Sequence, residues 1–169
     1  MPAKTQIAYL SLGSNMGDRV ANLDSGLRAL GQSGVHPGRV SSLFETEPVG
    51  FRDQPWFLNR VVEVQTALPP EALLKCCLEI EIGHGRIRDV KNGPRTLDLD
   101  ILLYGDVILS SPYLTIPHPR MTDRKFVLEP LAEIAPEVYH PLLKKSIRSL
   151  LAQCPDPSAV HLYAAQKDV

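Results

Sequence analysis

The order of strand-like and helix-like patterns predicts an α+β fold with a ferredoxin-like β-α-β-β-α-β core, an antiparallel sheet with helices packed on it. Three observations carry this. Residues 6–12 are apolar on both alternating faces, as in a central strand. Two stretches place apolar residues at helical spacing, one after Asp18 and one after Pro69-Pro70. Three further strand-like runs, 40–45, 58–67 and 97–104, fall where that order needs them.

Each element has a local cause. Gly13 to Asp18 is a turn, and Asp18 is a helix N-cap. Val20, Leu23, Leu27 and Leu30 then share one face until Gly31 and Gly34 stop the helix. Residues 46–56 form a Pro/Gly-rich loop. Pro69-Pro70 opens the second helix, where Leu73, Leu74, Cys77, Ile80 and Glu81 lie on one side and Gly83-His-Gly85 ends it. Beyond the core come a short strand at 114–116 and helical stretches at 123–133 and 142–152. One domain is expected over 1–154, followed by a C-terminal tail, 155–169.

Composition bounds the function. The chain has 169 residues, 44% hydrophobic and 22% charged, which suits a globular domain with a sizeable core. Net charge is -1, without the basic excess of most nucleic-acid binders. No apolar run has the length of a membrane span, and residues 1–6 lack a signal-peptide core. Cys76, Cys77 and Cys154 form no metal spacing; they read as reduced, small buried hydrophobes in a cytoplasmic protein.

The densest polar chemistry lies between Gly85 and Asp100. Asp98 and Asp100 enter a strand at i and i+2, so both carboxylates face one side, about 6.5–7 Å apart at Cα. Such a pair favours a shared hard cation, and Mg²⁺ is typically held by one or two carboxylates plus substrate phosphates. Arg86, Arg88, Lys91 and Arg95 supply phosphate-binding cations. Alone, Asp-x-Asp is usually a solvated strand end and Arg-x-Arg a surface pair. Together, flanking one Pro-Gly loop, they point to phosphoryl transfer. No Walker-type phosphate loop is present. His118 sits between two prolines on a stiff backbone; it suits either a phosphate or base contact or a hydrogen-bonded loop histidine. His36, His84, His140 and His161 show no partners in the sequence. Phe51, Trp56 and Phe57 lie beside Gln54 and Asn59 and could sandwich a flat ring, although Trp56 and Phe57 fit loop anchors better.

The chain resembles the 6-hydroxymethyl-7,8-dihydropterin pyrophosphokinases of folate biosynthesis from about Ile7 to Leu151. The motifs that carry the resemblance begin with Leu12-Gly-Ser-Asn15, Gly17-Asp18, Thr46 and Pro48-Val-Gly50. Asp53-Gln-Pro55, Phe57-Leu-Asn59, Glu81 and Gly85-Arg86 with Arg88 follow. Gly93-Pro-Arg-Thr-Leu-Asp-Leu-Asp-Ile101 is the most specific string, ahead of Pro117-His-Pro-Arg-Met121, Arg124 and Phe126-Val-Leu128.

The resemblance implies the same ferredoxin-like fold, with mobile loops around the site. It implies transfer of diphosphate from ATP to the pterin hydroxymethyl group, leaving AMP. Arg86, Arg95, Asp98 and Asp100 would carry catalysis, with Asp98 and Asp100 holding two Mg²⁺ ions. Leu74, Glu81, Arg86, Arg88, Arg95, Ile101, Thr115, His118 and Arg124 would bind ATP. Phe57 and Phe126 would sandwich the pterin, and Thr46, Val49, Gly50 and Asn59 would read its edge. The expected partners are these two small molecules, with no nucleic acid, membrane or obligate protein partner. A non-catalytic ferredoxin-like module for nucleotide or RNA is the rival reading. Several departures from the family pattern stand out. Asn92 replaces a common Trp in a loop one residue shorter, and Asp89 follows Arg88. Glu47 replaces a common Pro. Leu78 and Tyr113 replace polar groups.

Overall fold

Strand β1 (Gln6–Ser14) is buried from Ala8 onward and lies inside a six-stranded antiparallel sheet. The computed structural model describes residues 4–50, 52–85 and 94–163. Helix α1 (Arg19–Gln32) follows, and the Asp18 carboxylate caps it by accepting the Ala21 N–H at 3.1 Å. Strands β2 (Val35–Val40), β3 (Phe44–Thr46) and β4 (Phe57–Thr66) come next. Helix α2 (Pro70–Gly83) starts with Pro70 at its first position, and strand β5 (Asp98–Tyr104) closes the core. A small hairpin, β6 (Leu109–Ser110) and β7 (Thr115–Ile116), leads through a 3-10 turn to helix α3 (Lys125–Ile134). A second hairpin, β8 (Tyr139–His140) and β9 (Lys145–Ser146), leads to helix α4 (Ile147–Ala152) and strand β10 (Val160–Leu162).

The sheet order is β10-β3-β4-β1-β5, with β2 also paired to β4. The ferredoxin-like order of the core is therefore present. Both faces of the sheet are covered. Ala8, Leu10 and Leu12 of β1 pack with Leu23 and Leu30 of α1 and with Leu73, Cys77 and Ile80 of α2. Tyr9 points the other way, with Val61, toward Val127, Leu128 and Leu131 of α3 and Ile147 and Leu150 of α4. Gly26 lets α1 approach closely, since a Cβ there would lie 3.0 Å from Leu97 Cδ2. The β1–β5 register shifts by one residue between Tyr9 and Leu10, a bulge that puts both Leu102 and Leu103 in the second core.

Three expectations differ from what forms. In place of the strand expected at 40–45, β2 ends at Val40 and β3 begins at Phe44, with Ser41–Leu43 as the joint between them. Ser41 makes that joint: its N–H donates to the Val61 carbonyl and its hydroxyl accepts the Val61 N–H, both at 2.9 Å. Pro37-Gly38 does not prevent β2, because among the described residues β2 pairs with β4 alone, and an edge strand tolerates proline. The helix expected at 142–152 is helical only from Ile147, since Lys144 takes a left-handed φ of 58° and closes a hairpin first. Residues 155–169 were expected as a tail, yet Val160–Leu162 pair with β3 and extend the sheet. Among the described residues no helix is long and apolar enough to cross a membrane.

Histidines without sequence partners also acquire them. His84 bridges the helices, with Nδ1 2.8 Å from the Ile80 carbonyl and Nε2 2.8 Å from the Ser25 hydroxyl. His140 Nδ1 accepts the Leu142 and Leu143 N–H groups.

Candidate active site

Strand β5 delivers the acidic pair. Asp98 lies opposite Gly13 and Asp100 opposite Ser11, on the face that β1 turns toward the α3 side. Both carboxylates are half-buried and line a cavity of about 480 Å³. Leu99 between them points into the opposite core, and its N–H donates to Glu81 Oε2 at 2.7 Å. Glu81 is 1% exposed and lines neither cavity described here. Its carboxylate fixes the β5 backbone between the two aspartates.

Arg95, His118, Arg124, Pro119 and Arg120 join the aspartates on the polar wall. Burial, reinforced by the Arg124 and Arg120 charges, pushes His118 down to about 4. The imidazole is neutral at physiological pH. Its Nδ1 accepts the Arg120 N–H at 3.1 Å, which leaves the proton on Nε2. The His118 N–H donates to the Leu102 carbonyl at 2.9 Å, tying this loop to β5. The Arg124 guanidinium lies 5.5 Å from the centre of the Phe126 ring.

Thr46, Glu47, Val49, Phe57, Asn59 and Phe126 complete the other walls. Asn59 donates through Nδ2 to Thr46 Oγ at 2.6 Å, and both are buried. This pair needs Gly13, where a Cβ would lie 2.6 Å from Asn59 Oδ1. Gly50 takes a φ of 85°, which turns the adjacent loop, and is not among the lining residues. Trp56 behaves as an anchor: it stacks on His161 with centroids 6.1 Å apart. Phe57, its neighbour, faces the cavity.

A second cavity, of about 270 Å³, adjoins the first through Asp100, His118 and Pro119. Leu74, Leu99, Ile101 and Leu114 give it apolar side chains, and Ser111, Tyr113 and Thr115 give it hydroxyl groups. The structure thus gathers Leu74, Arg95, Asp98, Asp100, Ile101, Thr115, His118 and Arg124 around two joined cavities. Arg86, Arg88, Phe51 and the 89–92 loop lie outside the described residues. Among the described residues no three His, Cys, Asp or Glu side chains cluster as a metal cage.

Asn15 has a part that its place in a motif did not reveal. It is 3% exposed, and its side chain donates to Gln54 Oε1 and to the Pro55 carbonyl, both at 2.9 Å, and accepts the Arg95 N–H at 2.8 Å. It joins the loop before Phe57 to the backbone of Arg95. Glu47, Pro119 and Arg120 also line the cavity, although the sequence assigns none of them a binding role. Their proximity to Thr46 and His118 was the available signal.

The profile of the 7,8-dihydro-6-hydroxymethylpterin-pyrophosphokinase (HPPK) family matches residues 9–136. The chain belongs to the HPPK family. It is similar to the 2-amino-4-hydroxy-6-hydroxymethyldihydropteridine pyrophosphokinase of Bacillus subtilis, with 50% identity over 133 residues covering 78% of this chain and 80% of that protein. The Haemophilus influenzae protein of the same name is 42% identical, covering 92% of this chain and 97% of its own length. The folic acid synthesis protein fol1 of Schizosaccharomyces pombe is 41% identical over 96% of this chain, which spans only 22% of that longer protein. A crystal structure of a Plasmodium falciparum HPPK-DHPS triple mutant shares the fold, with a TM-score of 0.71 at 20% identity. The match covers 89% of this chain and 44% of that one. Membership in the HPPK family makes the activity class that of an ATP-dependent pyrophosphokinase of folate biosynthesis.

Proposed function

We propose that this HPPK-family chain transfers the β,γ-diphosphoryl group of ATP to the hydroxymethyl oxygen of 6-hydroxymethyl-7,8-dihydropterin across the two joined cavities. The observation that carries this reading is their shared boundary. A cavity of about 270 Å³ with Leu74, Ile101 and Leu114 in its walls meets an aromatic- and amide-walled one at Asp100 and His118. Adenine would lie against Leu74, Ile101 and Thr115. The pterin would lie between Phe57 and Phe126, with Thr46 and Asn59 reading its edge and Val49 and Gly50 shaping the loop beside it.

The triphosphate then falls along the polar wall. Arg95 and Arg124 neutralise its charge, and His118 donates through Nε2–H without adding charge. Arg86 and Arg88 complete the phosphate-binding set in this reading. Asp98 and Asp100 offer hard oxygen donors on one strand face, a donor set that fits Mg²⁺ bound jointly with phosphate and water. When bound there, Mg²⁺ would draw charge off the phosphates. The hydroxymethyl oxygen forms a bond to the β-phosphorus and loses its proton, the bond from that phosphorus to the α,β-bridging oxygen breaks, and AMP leaves. Placement of the two reactants supplies a large part of the acceleration. A cytoplasmic setting is part of the proposal, supported by three free thiols.

The test mixes the protein with ATP, Mg²⁺ and the pterin and follows nucleotides and pterins. AMP is expected in step with pterin diphosphate, and only with all three present. ADP as the product, or AMP without the pterin, would refute the reading.

A further inference from the structure

Residues 156–163 run between two walls of the larger cavity and are fastened to each. On one side Asp156 Oδ2 accepts the Lys125 N–H at 3.0 Å, while Oδ1 accepts the Ser158 N–H at 2.9 Å. Lys125 is the first residue of α3, set between Arg124 and Phe126. Its N–H is one of those a helix start leaves without an intrahelical partner, and a carboxylate there is favoured by the helix dipole. Burial works against the charge on Asp156, but the hydrogen bonds from Ser158 and Lys125 outweigh it and hold the carboxyl below its usual range.

The other attachment is to the wall that carries Thr46 and Phe57. Glu47 donates its N–H to the Ala159 carbonyl at 3.0 Å, and Ala159 returns its own N–H to Glu47 Oε1 at 3.0 Å. Strand β10 then pairs with β3, placing Val160 opposite Thr46. The His161 ring lies nearly parallel to Trp56, with 6° between planes. Arg19 donates to the Trp56 carbonyl at 2.9 Å and lies 5.7 Å from the centre of the Tyr163 ring. Tyr163 donates its N–H to the Leu43 carbonyl at 2.8 Å.

Both attachments end beside an aromatic wall residue: Lys125 precedes Phe126, and Trp56 precedes Phe57. We propose that residues 156–163 are a positioning strap that sets the spacing of Phe57 and Phe126 and so tunes affinity for the flat heterocyclic substrate, not for ATP. This rests on the pterin reading of that cavity. The selectivity follows from the sheet order, since β10 and β5 stand at opposite ends of it. Asp98 and Asp100 hang on β5, and the strap's fastenings are made to β3, to the 47–56 segment and to α3.

The test uses full-length H161A, D156A and H161F, with steady-state kinetics for each substrate and a thermal melt of each protein. H161A and D156A should each raise the pterin KM about five-fold, the scale of one lost aromatic or hydrogen-bonded contact. In H161A, whose lost contact is with Trp56 and not beside Arg124, the ATP KM and kcat should stay near wild type. H161F keeps a flat ring against Trp56 and should restore the pterin KM. An unchanged pterin KM in both H161A and D156A, or an equal rise for both substrates in H161A, would overturn the strap. F57A separates the two failures. A raised pterin KM in F57A alone would leave the site reading standing without the strap. No change in F57A would remove the site reading and the strap with it. If D156A does not fold, the H161A and H161F pair decides.

Discussion

Asn15 and Arg95 hold each other by a reciprocal pair of hydrogen bonds. The Arg95 N–H donates to Asn15 Oδ1 at 2.8 Å, and the Asn15 N–H donates to the Arg95 carbonyl at 3.0 Å. The Asn15 amide group meanwhile holds Gln54 and the Pro55 carbonyl. Asn15→Ala leaves the Arg95 N–H without its side-chain acceptor and the Pro55 carbonyl without this donor. Unmatched buried groups of this kind cost about 1–3 kcal/mol each. Urea unfolding should show a loss of about 2 kcal/mol or more. Asn15→Asp keeps the acceptor but sets a carboxylate oxygen against two other oxygens, so it should also destabilise. Wild-type stability in both variants would refute this role.

Gly13→Ala should weaken pterin binding through Asn59. The added Cβ would lie 2.6 Å from Asn59 Oδ1, the end of a side chain that can swing away. The backbone at Gly13 is an ordinary extended strand, so alanine brings no backbone strain. The amide must leave Thr46, and the edge-reading pair of the proposed pterin wall is lost. Calorimetric titration should show pterin affinity falling about ten-fold, the scale of one good hydrogen bond, and the melting temperature should fall as well, because Thr46 and Asn59 are buried. Unchanged affinity would show that the Thr46–Asn59 pair does not read the pterin.

The core was legible where local signals agreed. β1 announced itself by apolar residues on both faces, α1 by the Asp18 cap and α2 by Pro70. β10 gave no such signal, because a three-residue, mostly exposed strand is stabilised by its partner β3 rather than by its own pattern. β2 was hidden behind Pro37-Gly38. Asp98 and Asp100 were legible as a pair because one strand carries both. Asn15 was not, since its partners lie 39, 40 and 80 residues away. The grouping of Thr46, Phe57, Asn59 and Phe126 followed from family resemblance, since no spacing rule links β3, β4 and α3.

His118 should leave a mark on stability between pH 6.5 and 4. Its folded pKa is about 4 against an ordinary 6.5. Above 6.5 the ring is neutral in both states and contributes nothing. As pH falls toward 4, only the unfolded chain takes up the proton, so stability falls with pH; below 4 the loss is complete. His140, also lowered by burial, acts in the same sense. Asp156, held below its usual 3.8, loses its contribution only at lower pH. H118N keeps an acceptor for the Arg120 N–H but cannot titrate. Unfolding free energy should therefore fall less steeply in H118N than in wild type across this window, by up to about 1.4 kcal/mol per pH unit. Parallel profiles would mean that His118 titrates as it does in an open chain.

Asp98 and Asp100 provide the most direct chemical test. Both are half-buried at the cavity wall, while Leu99 and its bond to Glu81 hold the strand between them. Removing either carboxylate should spare the fold and strike catalysis. D98N and D100N preserve shape and lose charge, and a hard cation requires the charge. Each should lower kcat by about 100-fold or more, the loss seen when one group stabilising transition-state charge is removed. A second readout avoids turnover. Mg²⁺ with a non-hydrolysable ATP analogue should raise the wild-type melting temperature by mass action, and the asparagine variants should lose most of the Mg²⁺-dependent part of that rise. Retention of both turnover and the Mg²⁺-dependent shift in D98N and D100N would move the cation away from β5.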